Sequence, residues 1–382
     1  MPVSSTNNLL QKAHQLQQSI SFESDKAKVD LVSLTDSALD ERQAPPLLEV
    51  NALSKCFTIQ GGVWQRLKRR LPEVLLAVDN VSLQIAKGEI VGLVGESGSG
   101  KTTLGRCLLR LIEPSAGKVL YNGQDILALP HAEMQGVRRK MQMIFQDPYS
   151  SLNPRMTVRE TLAEVLRFHR LCPPKHLDMR IEELLHLVGL SVNAMHRYPR
   201  HFSGGQRQRI GIARALAVEP DFIVADEIVS AVDVSTQAQV LNLLLKLKAQ
   251  LGLTMLFIAH DLSVVQYIST RVGVMYLGKI VEIGPRKKLF AHPRHPYTQG
   301  LLLAAPQADP LKRTTSVAID GEPPSPLHPP PGCRFHTRCH LVNEHCRRVE
   351  PPLRQIDEEH WVACHHHEQA SWPLFQVGGN YE

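Results

Sequence analysis

Eight consecutive residues, Gly95-Glu-Ser-Gly-Ser-Gly-Lys101-Thr102, carry the clearest chemistry in the chain. Glycines at this spacing let backbone N–H groups turn inward around phosphate oxygens, and a helix start adds partial positive charge. Lys101 supplies a point charge to terminal phosphates, and the Thr102 hydroxyl is a ligand for Mg²⁺. Gly95, Glu96, Ser97, Gly98, Ser99, Gly100, Lys101, Thr102 and Thr103 are therefore the candidate contacts to a nucleoside triphosphate. A second run, Phe222-Ile-Val-Ala-Asp226-Glu227, ends an apolar strand in two acids. That places carboxylates at a sheet edge, Asp226 for the Mg²⁺ shell and Glu227 to polarise an attacking water. A third, Ser203-Gly-Gly-Gln206, opens a helix rich in Arg and Ala. Ser203 is a good N-cap, and two glycines at a helix start make an anion-binding nest.

The elements that must position these groups follow from the apolar pattern. Ile90–Val94 precedes the glycine loop and a helical run, Thr103–Leu111, follows it. Further strand candidates are Met141–Phe145, Phe222–Ala225, Met255–Ile258 and Val272–Tyr276. Short apolar runs without alternation predict a parallel sheet covered on both faces, hence an α/β fold. Strand signals vanish between Gln146 and Pro220, which predicts a helical subdomain over about 147–220.

Composition bounds the rest. The chain has 382 residues, 43 % hydrophobic and 21 % charged, so it can bury a core and is not a disordered polymer. A formal charge of +6 is mild and predicts no nucleic-acid partner. No apolar run approaches the ~18–20 residues of a membrane span. The first residues lack the pattern of a secretory signal, so a cytosolic, reducing setting is expected. Residues 1–45 are polar and expected to be disordered; 46–290 form the main domain. Past Phe290 the composition shifts: six prolines fall within Gly321–Pro331, and Cys333, Cys339, Cys346 and Cys364 follow. Residues 291–367 are expected to form a separate small unit, and 368–382 a tail. Cysteines grouped this way in a reducing setting point to a metal site before disulfides.

The order of glycine loop, Gln146, Ser203–Gln206, Asp226-Glu227, Asp233 and His260 resembles the ATP-binding-cassette (ABC) ATPases. The resemblance implies a P-loop NTPase cassette with a mixed, largely parallel sheet core, a helical subdomain and, here, a small cysteine-containing extension. It implies catalytic roles for Glu227, Gln146 and His260, with His260 sensing the γ-phosphate and Gln146 also near Mg²⁺. Phe57 matches the aromatic that stacks on adenine; an ordinary strand aromatic is the alternative. Ser203, Gly204, Gly205, Gln206 and Asp233 would complete the ATP site of a partner cassette in an ATP-sandwich dimer. Two departures stand out: Ile228 where the family usually has Pro, and Val232 where it usually has Leu. The first is expected to loosen the turn that aims Glu227.

Finer stretches resemble one branch, the ATP-binding subunits of dipeptide and oligopeptide permeases. These are Gln146-Asp-Pro-Tyr-Ser-Ser-Leu-Asn-Pro154, Tyr198–Arg209, His295-Pro-Tyr-Thr298, and the prolines leading to Gly332-Cys-Arg-Phe-His-Thr-Arg-Cys339. FSGGQ at 202–206 is similar to the second subunit of the cassette pair. The branch implies ATP-driven peptide import from the cytoplasmic side of a bacterial inner membrane. Its partners are a second ATPase subunit, two membrane permease subunits and an extracytoplasmic binding protein. A nickel chelate or antimicrobial peptide as solute is the alternative, and a soluble ABC ATPase without transport a more distant one. The cysteine spacing C-x5-C-x6-C-x17-C lacks the tight knuckles of structural zinc. Resembling subunits carry a [4Fe–4S] cluster there, which is the expectation, with zinc as the alternative. His336, His340, His345 and His365–His367 are expected to be solvated.

Overall fold

The computed structural model describes residues 45–59, 73–147, 149, 151–230, 232–304, 319 and 321–370. The expected disorder of residues 1–45 falls outside them, save for Pro45. Two sheets organise the chain. The smaller is antiparallel, in the order β2-β1-β4-β5, from Leu48–Ile59 (β1), Glu73–Ile85 (β2), Ala116–Tyr121 (β4) and Gln124–Asp125 (β5). The larger has eight strands in the order β11-β12-β10-β9-β3-β8-β7-β6. Its centre is Ile90–Val94 (β3), Met141–Ile144 (β6), Phe222–Asp226 (β7), Thr254–Ile258 (β8) and Arg271–Tyr276 (β9), all paired parallel. Lys279–Pro285 (β10), Arg354–Asp357 (β11) and His360–Val362 (β12) extend it antiparallel.

The unbroken apolar runs of the central strands have a direct cause: each strand feeds two cores. Ile90 and Val94 of β3 join one apolar cluster while Val91 and Leu93 join the other. Met255 and Phe257 of β8 face the first, Leu256 and Ile258 the second. Neither face meets water, so alternation disappears.

Among the described residues ten α-helices accompany the sheets: Lys101–Leu108 (α1), His131–Lys140 (α2), Val158–Phe168 (α3), Leu177–Leu187 (α4), Gly204–Leu216 (α5), Val234–Leu251 (α6), Leu262–Ile268 (α7), Arg286–Ala291 (α8), Pro296–Ala304 (α9) and Glu344–Arg348 (α10). Between β6 and β7 the described residues form helices only. Thr157 starts α3 with a capping box, its hydroxyl taking the Glu160 N–H while the Glu160 carboxylate takes the Thr157 N–H. Among the described residues no helix is long and apolar enough to cross a membrane.

The cysteine-bearing extension does not stand apart. β12 pairs with β10, so the extension completes the main sheet. Glu282 of β10, fully buried, accepts from the backbone N–H of Arg294 and His295 and meets His360 Nε2 of β12 at 2.8 Å. Lys288 reaches Asp357 at 3.1 Å from the other side. A buried carboxylate needs such partners, and removing one is costly.

Candidate functional site

Parallel pairing puts the C-terminal ends of β3, β8, β7 and β6 side by side. Leu93 pairs with Ile258, Ile258 with Asp226, and Ala225 with Ile144. The residues that follow these strands therefore crowd one edge: Gly95 after β3, Ala259 and His260 after β8, Glu227 after β7, and Gln146 after β6. Sheet order, not sequence proximity, assembles the site.

The loop 95–100 leads straight into α1. Gly95 and Gly100 have φ of +153° and +102°, and a β-carbon on either would lie 2.1 Å from a carbonyl, of Met275 and Ala77 respectively. Only glycine fits there. Ser97 and Gly98 are exposed, and nothing stands within 4 Å of a β-carbon built on Gly98. Ser99 is buried and Thr103 half-buried. Lys101 Nζ is folded back on the loop, donating to Gly95 O at 2.7 Å, Glu96 O at 2.9 Å and Ser99 Oγ at 3.3 Å. Burial pulls its pKa below the ordinary lysine value, against the opposing pull of Glu227, Asp226 and Glu96.

Thr102 Oγ1 donates to Asp226 Oδ1 at 2.8 Å. Hydroxyl and carboxylate oxygens side by side are the donor type Mg²⁺ takes. Burial raises the Asp226 pKa above the usual carboxylate value, with the Thr102 bond opposing; a divalent cation acts in the same direction as that bond. One residue on, Glu227 has φ +46°. Its N–H donates to Ile258 O at 2.9 Å, and its carbonyl accepts from Ser230 N and Oγ at 3.1 and 2.8 Å. Gln146 Nε2 donates to Glu227 Oε2 at 2.7 Å. His260 is exposed at the same edge, and Asp261 beside it caps α7 through Ser263 N at 2.8 Å.

The expected loosening of the Glu227 turn at Ile228 meets a tight setting. Ile228 is 1 % exposed and packs in the core beside Val229. Two bonds from Ser230 and one to Ile258 hold the turn without proline. Val232 is half-buried against the same core.

The Ser203 turn is a second constellation. Ser203 Oγ accepts from Gln206 N at 3.3 Å, and Gln206 Oε1 accepts from Ser203 N at 3.1 Å, a complete capping box on α5. A β-carbon on Gly205 would meet Thr236 Cγ2 at 2.1 Å, so the turn lies flush against the start of α6. Asp233 caps α6 through Thr236 N at 2.9 Å, and bonds from Ser235 and Thr236 lower its pKa to about 2. The structure thus joins Ser203–Gln206 to Asp233. Among the described residues no hydrogen bond joins them to the 95–102 loop. Phe57 sits on β1 opposite Leu75 of β2, two residues from the Ala77 carbonyl that borders Gly100, with Lys55 Nζ 4.9 Å above its ring.

Two side chains bearing on the loop were missed in the sequence. Tyr297 Oη accepts from Glu96 N at 2.8 Å. Arg338 donates to both carboxylate oxygens of Glu96, at 2.8 and 3.1 Å. The His-Pro-Tyr-Thr run was a signal for the first; nothing local marks the second.

Around the cysteines, Cys333 N donates to Cys346 O at 2.8 Å, and Gly332 (φ +66°) allows the close approach. Burial pushes Cys333 up to about 11 and Cys364 to about 12, and the other cysteines of the group push further the same way. The four thiols therefore share one neighbourhood. Yet among the described residues no three His, Cys, Asp or Glu side chains stand where they could hold one metal ion. The cysteine spacing in space thus does not support the expected metal site as a closed ligand set. The solvated-histidine expectation is corrected for His336, which is buried with Nδ1 2.9 Å from Cys333 O. His345 and His365 stack edge-on at 4.3 Å.

Comparison with known proteins places this geometry. The ABC transporter family profile matches residues 78–230, and the oligopeptide/dipeptide transporter C-terminal region matches 281–346. A peptide import ATP-binding protein of Brucella ovis is 51 % identical, across 84 % of this chain and 97 % of its own. The oligopeptide transport ATP-binding protein AppF of Bacillus subtilis is 48 % identical, with the same two coverages. Among solved structures, a dimeric ATP-binding cassette in a post-hydrolysis state with ADP and Pi is similar at TM-score 0.55 and 29 % identity. That likeness covers 63 % of this chain and 98 % of the cassette.

Proposed function

Since the chain belongs to the ABC transporter ATP-binding proteins that carry the oligopeptide/dipeptide C-terminal region, we propose that it hydrolyses ATP to drive peptide import. The observation that carries the chemistry is the pairing of Thr102 with Asp226 and of Gln146 with Glu227 at one sheet edge. The loop 95–100 and the start of α1 receive the phosphates, and Lys101 turns from the loop carbonyls to the β- and γ-phosphates. Thr102 and Asp226 would hold Mg²⁺, with Gln146 a further candidate ligand, and the ion when bound would supply charge neutralisation of the phosphate oxygens. Glu227 orients and takes a proton from the attacking water, and Gln146 holds its carboxylate in place. His260, at the end of the neighbouring strand, faces the γ-phosphate. Phe57 stacks on the base.

The joined turns at Ser203–Gln206 and Asp233 support a two-cassette arrangement. Each offers a capped helix start with no hydrogen bond, among the described residues, to its own phosphate loop, which suits delivery to a partner's nucleotide. FSGGQ at 202–206 supports the second position of a cassette pair, with a different chain as the partner. Two membrane subunits and a binding protein complete the importer, with this chain peripheral on the cytoplasmic face. At the cysteines the [4Fe–4S] reading stands as a proposal. It rests on four cysteines in one C-terminal segment, Cys346 and Cys364 buried and Cys333 and Cys339 half-buried, without the tight spacing of structural zinc.

The test is purification of the tagged full chain from membranes of its own host. Co-purification of two membrane subunits, with ATPase activity raised by peptide-loaded binding protein, is the expected result. Activity raised by a nickel chelate and not by peptides would move the solute to the alternative class. A chain recovered alone, with no membrane partner, contradicts the transport reading.

A further inference from the structure

The phosphate loop is braced from a direction that its sequence motif does not announce. The segment between the first two tail cysteines, Cys333-Arg-Phe-His-Thr-Arg-Cys339, lies against it. Arg338 forks onto the Glu96 carboxylate, Nη1 to Oε2 at 2.8 Å and Nη2 to Oε1 at 3.1 Å. Arg334 bonds the carbonyl of Leu277 and the carboxylate of Asp79. Gly278, next to Leu277, donates to Ser99 O at 2.8 Å. Phe335 packs on Tyr276 and Tyr297, both at 5.3 Å between ring centres, and Tyr297 takes the Glu96 N–H. One short segment thereby governs both ends of the loop, Glu96 directly and Ser99 through the 277–278 turn.

We propose that Arg338 is a positioning residue of the nucleotide site, neutralising Glu96 and fixing its backbone so that the loop accepts a polyphosphate. This deepens the proposed function and rests on 95–102 being the nucleotide loop. Glu96 is an acid inside a loop built to hold anions. Unpaired, its charge opposes the incoming phosphates, and the low-dielectric wall at β3 strengthens that opposition. The Arg338 side chain is 6 % exposed and that of Glu96 26 %, so the pair is not a solvated surface contact. A forked guanidinium is the one cation that holds both carboxylate oxygens in a fixed plane. Because Arg338 immediately precedes Cys339, the fold of the cysteine segment and the affinity for nucleotide become linked quantities.

The experiment measures ATP and ADP dissociation constants for the full chain as wild type, R338A, R338K, E96Q and E96Q/R338A, with thermal melts alongside. R338A should weaken ATP about tenfold or more, and ADP less, because the effect scales with phosphate charge. E96Q, which leaves the Arg338 charge facing the loop without its carboxylate, should tighten ATP more than ADP. E96Q/R338A should recover most of the loss, since no charge is left to neutralise. R338K, keeping the charge without the fork, should fall between; it carries the test if R338A does not fold. Wild-type ATP affinity in R338A or in R338K overturns the proposal. So does a loss equal for ATP and ADP that E96Q does not relieve, which marks Arg338 as merely structural. Failure of the wild-type chain to bind ATP would instead overturn the nucleotide-loop reading itself.

Discussion

Gln146 Nε2 and Glu227 Oε2 are 2.7 Å apart, so a residue two positions past β6 holds the carboxylate that follows β7. The hydrogen bond crosses from the start of the helical stretch to the acid that follows Asp226. Motion of the Gln146 segment is therefore felt at Glu227 without any intermediate residue.

Gln146→Ala should free that carboxylate and lower ATP turnover by about tenfold, with ATP affinity changed by no more than about threefold. Steady-state and equilibrium-binding measurements on the same preparation check this split. A loss of affinity as large as the loss of rate would make Gln146 a ligand contact and not an aligner of Glu227.

Restoring the family's proline at Ile228 should not speed the enzyme. Ile228 fills a core position, and Glu227 before it holds φ +46°, a conformation that a following proline crowds. Ile228→Pro should cost about 1–3 kcal/mol of stability, read by denaturant unfolding, and leave turnover equal or lower. Faster turnover would show that the wild-type turn wanders despite its bonds to Ser230 and Ile258.

His295 gives the fold a sensitivity to acid. It is fully buried, and its Nδ1 accepts from Tyr297 N at 3.1 Å, so the neutral ring suits the site. Burial lowers its pKa from 6.5 to about 4, against the pull of Glu282. The unfolded chain then binds the proton more readily, and stability is full above pH 6.5 and falls as pH drops toward 4. The difference between pH 7 and pH 4 amounts to at most about 3 kcal/mol from this group. In His295→Gln the melting temperature should lose part of its slope between pH 6.5 and 4, while an unaltered slope relative to wild type would exclude His295 as its source.

Anaerobically purified chain should be brown, with broad absorption that bleaches in air, if the four thiols hold iron and sulfide. Cys333→Ser should abolish the colour. It should also weaken ATP binding, since Cys333 begins the segment that carries Arg334 and Arg338 to the phosphate loop. A colourless protein with one equivalent of zinc would replace iron by zinc, and normal ATP affinity in the colourless variant would separate the cysteines from the loop.

The parallel core was legible because each central strand is buried on both faces, and the site was legible because the loops that end those strands carry distinctive residues. The smaller sheet was not. Ala52 in β1 and Asn80 in β2 both have positive φ, at +50° and +51°, and the β1–β2 register shifts nearby. These irregularities break the period-two signal that marks a half-buried strand. The extension looked separate because β12 is three residues long, and its paired residues in β10, Glu282 and Ile283, lie about 80 positions earlier, beyond any local pattern. Arg338 and Glu96 are 242 positions apart, and no spacing rule relates them. His336 looked like part of a basic tail and is buried because the Cys333 turn folds over it.

Whether Glu227 activates the attacking water is decided by a single-turnover comparison of wild type and Glu227→Gln with radiolabelled ATP and Mg²⁺. The carboxylate that orients water is lost while the phosphate loop, Thr102 and Asp226 remain. ATP binding should stay within about threefold of wild type, hydrolysis should slow by about a hundredfold or more, and uncleaved ATP should accumulate in a cassette dimer. Hydrolysis at the wild-type rate in Glu227→Gln would contradict that role.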